Sequence, residues 1–417
     1  MHYSFFALVQ AALRGHRTWK QAWVCAKPKP HYDIVIVGGG GHGLATAYYL
    51  AHNHGLRNIA VLEKGWIGGG NTGRNTTIVR SNYLLDANAR FYEHSLKLWE
   101  NLSRSLNYNT MFSQRGVLNL AHSPEQMQSY ARRGNAMRMN GIDAELLEPD
   151  QIKHMAPAID LSRTCRFPIA GGLLQARGGT ARHDAVAWGF ARAAQRAGVD
   201  IIEDCEVLAM KTKSDLVSEL VTTKGSIGVG SVGIAVAGNT SRLAAMVGMR
   251  LPIESHLLQA FVTEPVKPLL DIVATYGAGH FYISQSDKGG MVFGGDLDQY
   301  NSYAQRGNLP VAEHVCSIAV TMIPALSNLR VVRHWGGVMD MSMDGSPIIS
   351  KTPFANLYLN CGWCYGGFKA TPGSGWVFAH TIAHDRPHAL NEPFSLSRFD
   401  EGKTIDEKGA GPVPKAH

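Results

Sequence analysis

Several features that mark whole classes of protein are scarce in this sequence. Its 417 residues hold only six cysteines: Cys25, Cys165, Cys205, Cys316, Cys361 and Cys364. Scattered over so long a chain, they form no disulfide scaffold. The formal net charge is +7, yet no run of lysine and arginine is dense enough for a nucleic-acid arm, and no nucleic-acid partner is expected. Mild basicity of this kind suits a phosphate-bearing cofactor or an acidic partner subunit equally well. No secretory signal is visible: the short apolar stretch of "MHYSFFALVQAALRGHRTWKQAW" runs into Arg14, His16, Arg17 and Lys20 without a small-residue cleavage site. The one long uncharged run, "IVIVGGGGHGLATAYYLA", holds a cluster of four glycines. A membrane helix would lose roughly 1 kcal/mol at each against alanine. A cytoplasmic protein with no membrane association is expected.

What is present begins with length. A chain of 417 residues exceeds one simple core, so two joined domains are expected. The first residues read as an amphipathic helix, a candidate arm for packing on a neighbour. "YDIVIVGGGGHGLATAYYLAHNHGLRNIAVLEKG" then reads as strand, tight turn, helix, strand. The apolar run ending at Val37 suits a strand buried on both faces of a parallel sheet. Gly38, Gly40 and Gly43 give the G-x-G-x-x-G spacing of a dinucleotide site: a tight turn, close approach to a pyrophosphate, and close helix–strand packing. The helix N-terminus supplies free amides and partial positive charge, and Gly55 closes the helix. Glu63 ends the second strand, placed to accept from ribose hydroxyls and to repel a 2′-phosphate. The loop "WIGGGNTGRNTTIVRSNY" favours FAD over NAD, because a nicotinamide fold would proceed directly to helix and strand.

Further on, "QRGVLNLA" reads as a strand of a second, substrate-facing sheet. "GGTARHDAVAW" starts an amphipathic helix with Thr180 as its expected cap. "VGIAVAGNTSRLAAM" reads as strand, turn and helix, and "NLYLN" as a strand leading through a glycine turn to another helix. Cys361 and Cys364 form a C-x-x-C, but no second pair of metal ligands accompanies it, and no metal site is expected.

These blocks resemble the amine-oxidising flavoproteins of the D-amino-acid-oxidase type, which include the sarcosine oxidases. The similarity runs nearly end to end with the heterotetrameric branch of the latter, through "LEKGWIGGGNTGRNTT", "TARHDAVAW", "DGSPIISKTP" and "FSLSRF". The resemblance implies an α/β (α+β) fold with a Rossmann-like FAD-binding domain and a smaller substrate domain on a mostly antiparallel sheet. It also implies a helical arm (1–31), a discontinuous FAD domain (32–115, 172–250 and 330–400), a substrate domain (116–171 and 251–329) and a tail (401–417). Noncovalent FAD is expected at Gly38, Gly40, Gly41, His42 and Gly43, at Glu63 and Lys64, at Asn71, Thr72, Arg74 and Asn75, and at Val207, Gly238, Gly366, Gly367 and Lys369.

In that branch a second flavin, FMN, is covalently attached to a histidine, and His183 holds the matching position. Its site at a helix start is compatible, since the positive helix end disfavours imidazolium and attracts a phosphate. Arg80 and Lys369 fall where the family carries its pair of carboxylate-binding, catalytic cations. The implied reaction is oxidative demethylation of sarcosine to glycine, with hydride passing to FAD and electrons then to FMN and O2, giving H2O2. Formaldehyde or 5,10-methylenetetrahydrofolate is the other product. The implied partners are alpha, gamma and delta subunits, with NAD and tetrahydrofolate bound through alpha.

Two departures stand out. "GGMVFGGD" lacks the lysine that monomeric relatives place near the flavin. "CGWCYGG" has Cys364 and Tyr365 where glycine and a small residue are expected. Oxidation of another amino acid or N-methylated amine, or an electron-carrier role without an amine substrate, would use the same glycine motifs. The presence of both Arg80 and Lys369 speaks against the carrier.

Overall fold

The computed structural model describes residues 4–17, 24–277, 280–298 and 300–407. Parts of the expected arm (1–3, 18–23) and tail (408–417) lie outside them. From Ile34 onward the segment "HYDIVIV" alternates within a strand: Ile34 and Ile36 enter one core while Val35 and Val37 enter another. Burial on both faces is what an apolar strand in a parallel sheet requires. This strand, His31–Val37, lies between Ile59–Leu62 and Gly225–Ile234, both parallel to it. Asp200–Ile202 and Leu357–Cys361 extend the sheet in parallel, and Ile348–Lys351 adds an antiparallel edge. The hairpin Val207–Lys213 and Leu216–Thr222 branches from Gly225–Ile234 and closes one core.

Helices Gly41–Asn53, Asp86–Ser105, His183–Arg196 and Thr371–His384 cover the other face. The first and last of these run parallel, in register along their length. A Cβ on Gly41 would touch Thr371, and one on Gly375 would sit 2.4 Å from the Cβ of Ala45. Small residues at the crossing therefore bring the two backbones together, and both N-termini point the same way.

The second sheet also has eight strands, in the order Val331–Ser342, Ile253–Pro265, Gly290–Leu297, Phe281–Gln285, Val273–Tyr276, Val117–Ala121, Gly171–Gln175 and Glu145–Leu147. Every neighbouring pair is antiparallel except Val273–Tyr276 with Val117–Ala121. Its own core includes Phe261, Phe293 and the helix Leu309–Met322. A small ribbon, Ile78–Val79 with Gly179–Thr180, stands apart from both sheets. Thr180 is thus a strand residue and not the helix cap. The helix starts at His183 with Arg182 in the cap position, and Asp184 accepts from the amide of Ala185 at 2.9 Å. The N-terminal helix Phe5–Leu13 leaves Phe5, Phe6 and Leu13 exposed. No described helix is long and apolar enough to cross a membrane.

Candidate active site

At the C-terminal end of His31–Val37 the chain must reverse into a helix within three residues. Gly38 does so with φ +114°, and a Cβ there would sit 2.3 Å from the carbonyl oxygen of Ala235. Gly40 caps the helix without a side chain. A Cβ on Gly43 would lie 1.9 Å from the Gly38 carbonyl, so this third glycine seats helix on strand and does not line the cavity. The Gly41 amide is held by Thr72 Oγ1 at 2.9 Å. Glu63 accepts from the Gly39 amide at 2.8 Å and the Gly65 amide at 2.9 Å, bridging two loops beside Lys64. Its carboxylate keeps further lone pairs for hydroxyl donors.

A cavity of about 1210 Å³ opens here, between the ends of the parallel strands and the antiparallel sheet. It exceeds the roughly 300–1,000 Å³ usual for small-molecule sites, which leaves room for a dinucleotide and a small substrate. Buried Val207 forms part of the wall. Gly238 does not, although Ala237 and Asn239 do. Gly238 faces Val338 instead, whose carbonyl oxygen would lie 2.6 Å from an added Cβ. It packs the turn beneath the strand Val331–Ser342.

His42 joins distant parts of the wall. Its Nε2 lies 2.7 Å from the carbonyl oxygen of Gly367 and its Nδ1 2.8 Å from Ser374 Oγ. A carbonyl only accepts, so Nε2 carries the proton and Nδ1 accepts from the serine. Burial pushes the imidazole pKa down to about 4, and the ring acts as a neutral clasp. In the loop after the second strand, Asn71 donates to the Val338 carbonyl, and Arg74 to Gly69 and, at 2.8 Å, to Gln305. Asn75 Oδ1 accepts from the Thr77 amide at 2.5 Å. That bond holds a β-branched residue at φ +71°, a strained conformation of the kind found at ligand clamps.

Two cations share one wall. Arg80 follows the ribbon strand, donates to Asn82 Oδ1, and lies over the Tyr83 ring at 5.0 Å. Tyr83 stacks on Tyr92 with centroids 4.0 Å apart. Lys369 sits in a short 3-10 helix, buried, with Nζ donating to the Tyr365 carbonyl at 2.7 Å. Its own carbonyl accepts from Ser95 and from Trp99, both at 2.8 Å, so the backbone bearing the lysine is fixed. Burial holds the ammonium pKa well below the usual value, and Arg80 lowers it further. No described carboxylate lies within ion-pair distance of either side chain. Two mutually repelling cations with no anion between them suit a bound carboxylate.

The "CGWCYGG" turn completes the wall. Cys364 adopts φ +48°, which is why glycine is the expected residue there. Burial raises the Cys361 thiol well above its usual pKa and pushes Cys364 up to about 12; neither is bonded to another cysteine. Both stay protonated, against a redox role. Tyr365 lines the cavity. A Cβ on Gly366 would fall 1.9 Å from the Tyr92 hydroxyl.

His183 lies outside this wall, at the first residue of its helix. Its Nδ1 is buried without a hydrogen-bond partner. Burial first, then Arg182 and Arg333, lower the imidazole pKa against the opposing pull of Asp184. Desolvation is therefore the leading cause of the shift toward a neutral ring. The residues just before it, Thr180, Ala181 and Arg182, line a second cavity of about 330 Å³ with Phe112, Arg115 and Asp287.

Sequence reasoning missed Asn82, Tyr83, Tyr92, Tyr130, Arg133, Tyr282 and Glu407, all of which line the large cavity. Tyr92 and Tyr130 sit on helices, where aromatics ordinarily mean core. Glu407 comes from the tail and accepts from the amides of Leu84 and Leu85 at 2.6 and 3.0 Å. No local signal announces such a return.

A Rossmann-like parallel sheet and an antiparallel sheet enclosing one glycine-lined cavity define a dinucleotide-dependent oxidoreductase. The family model "FAD dependent oxidoreductase" matches residues 33–381, and the chain belongs to that family. Within it, the chain is 60% identical over 417 residues to sarcosine oxidase subunit beta of Rhizobium meliloti (strain 1021), covering 100% of both chains. It is 53% identical over 391 residues to the same subunit of an Arthrobacter species, covering 94% of this chain and 96% of that one. Among solved structures, L-proline dehydrogenase from P. horikoshii superposes with a TM-score of 0.84 at 26% identity, covering 91% of this chain and 100% of that one. Glycine oxidase from Geobacillus kaustophilus, at 22% identity and a TM-score of 0.80 over 89% of this chain and 99% of that one, shares the fold.

Proposed function

We propose that this chain is the sarcosine-oxidising subunit of a multisubunit oxidase. The observation that carries the reading is the cation pair, Arg80 and Lys369, set without a carboxylate partner in the wall of a cavity that begins at the dinucleotide turn. FAD fits the residues present. The glycine turn and the 41–53 helix start would take its pyrophosphate, Glu63 a ribose, and Asn71, Thr72, Arg74, Asn75, Val207, Gly366 and Gly367 its remaining length. Bound there, FAD would supply the two-electron acceptor for oxidation of the amine.

The chain's own residues do the positioning. Arg80 and Lys369 hold the substrate carboxylate, which fixes where the N-methyl group can lie. Tyr365 narrows the pocket, and the neutral His42 clasp keeps the two glycine segments at a fixed separation. A secondary amino acid is the substrate class that matches this clamp, and glycine the product once the N-methyl group is lost.

His183 is the residue we assign to covalent attachment of FMN, in line with its buried, unpartnered nitrogen. Alpha, gamma and delta subunits are the partners, supported by the "subunit beta" naming of the relatives and by the exposed apolar face of Phe5–Leu13. Tetrahydrofolate and NAD would be bound through alpha. The unbonded cysteines agree with a cytoplasmic setting.

Steady-state kinetics of Arg80→Ala and Lys369→Ala tests the clamp. Losing one charge-assisted contact costs roughly 1.5–3 kcal/mol, so KM for sarcosine should rise roughly 10- to 100-fold with FAD content retained. An unchanged KM in either variant rejects it.

A further inference from the structure

Where the 41–53 and 371–384 helices end, away from the cavity, histidines converge from opposite ends of the chain. His54 follows the last residue of the first helix, and His380 and His384 lie one turn apart on the second. Residues four apart on a helix share a face. One donor nitrogen from each of the three lies within 4.8 Å of the other two. The rings are in contact: His54 meets His384 edge to face at 5.1 Å between centroids, and His380 lies tilted against His384 at 4.4 Å. None of the three is paired with a carboxylate among the described residues. The nearby Asp385 is engaged by Lys351 at 2.7 Å and Tyr358 at 2.8 Å.

Three imidazoles facing one another present lone pairs to a common point, a donor set suited to borderline divalent ions. Both helices also direct the negative ends of their dipoles here, because they run parallel and finish together. A cation at this point would meet two helix C-termini. We propose that His54, His380 and His384 form a binding site for a divalent transition ion of the zinc, cobalt or nickel type, stapling the C-terminal ends of the two helices whose N-termini face the cofactor cavity. The remaining coordination position falls to water.

The nitrogens must close to about 3.3 Å for tetrahedral bonds of about 2.0–2.1 Å, and His384, the exposed member of the three, is the side chain whose rotation would close them. His388 is near, 5.1 Å from His380 between centroids, but it is not a ligand. Its Nδ1 accepts from the Leu390 amide at 3.1 Å, so its other nitrogen carries the proton and offers no lone pair. Bridging two helices that flank the parallel sheet, the ion would act on stability. It sits a full helix length, about 20 Å, from the cavity.

The test uses the flavin-loaded, fully assembled enzyme without an affinity tag, dialysed against micromolar Zn2+ and analysed for bound metal, with Co2+ absorption as a second probe. One equivalent should bind and raise Tm, since a ligand that prefers the native state stabilises it. His384→Asn, an exposed substitution that leaves the core intact, should weaken binding by at least the roughly 10–100-fold that loss of an outer partner costs a metal site. The Tm rise should vanish with it, and His388→Asn should bind as the parent does. No bound equivalent in the parent enzyme, or equal affinity in His384→Asn, overturns the site.

Discussion

Lys369 is buried beside a second cationic side chain, Arg80. Burial and Arg80 both depress its ammonium pKa, so the lysine gives up its proton at a lower pH than a surface lysine. A carboxylate ligand needs the charged form. Acetate binding, followed by the flavin spectrum, should therefore weaken as pH rises through that lowered value. In Lys369→Met the affinity should be uniformly low and this dependence absent, whereas a persisting pH step would place the titrating group elsewhere. His183 gives a second residue-scale outcome. Co-expressed with its partner subunits, the denatured chain should carry the added mass of FMN, and His183→Ala should lose it. An unmodified parent chain would remove the assignment. At this scale the places of Gly38, Glu63, Arg80 and Lys369 in the cavity wall were legible because spacing or family motif marks them. Tyr92 and Arg133 were not, because they sit on the helices Asp86–Ser105 and Pro124–Met139, where such residues ordinarily mark core or solvated surface, and Tyr83 lies in an irregular segment without a motif.

Among the elements, the parallel helices 41–53 and 371–384 both start at the cavity wall, with Gly41, His42 and Thr371 in its lining. Their contact needs small residues at Ala45 and Gly375, and their starts need glycine turns. Gly38→Ala would place a Cβ 2.3 Å from the Ala235 carbonyl in a left-handed conformation, costing about 1–3 kcal/mol in backbone strain alone. The purified variant should be depleted of FAD, and a fully yellow variant would show that the turn tolerates a side chain. The strand–turn–helix–strand order near the start of the chain, and the strand–turn–helix order near its end, were readable from hydrophobic runs broken by glycine. The Thr180 cap was misread because a two-residue ribbon with Ile78–Val79 claims that backbone first. Gly238 stands off the cavity wall for a similar reason: the turn packs on Val338, which belongs to the other sheet.

For the whole molecule, two eight-stranded sheets contribute to one cavity, and the chain crosses between them repeatedly. The fold class was legible, because the parallel sheet announces itself through strands buried on both faces. The shape of the substrate side was less so, since its wall draws on Tyr282, Arg133 and the returning Glu407, which share no periodicity. The exposed apolar face of Phe5–Leu13 fits a protein that works in an assembly. The most direct measurement is anaerobic mixing of that assembly with sarcosine while the flavin spectrum is recorded. The oxidised flavin absorbance should bleach, with glycine appearing in step with it. Flavin that stays oxidised at saturating sarcosine would contradict it.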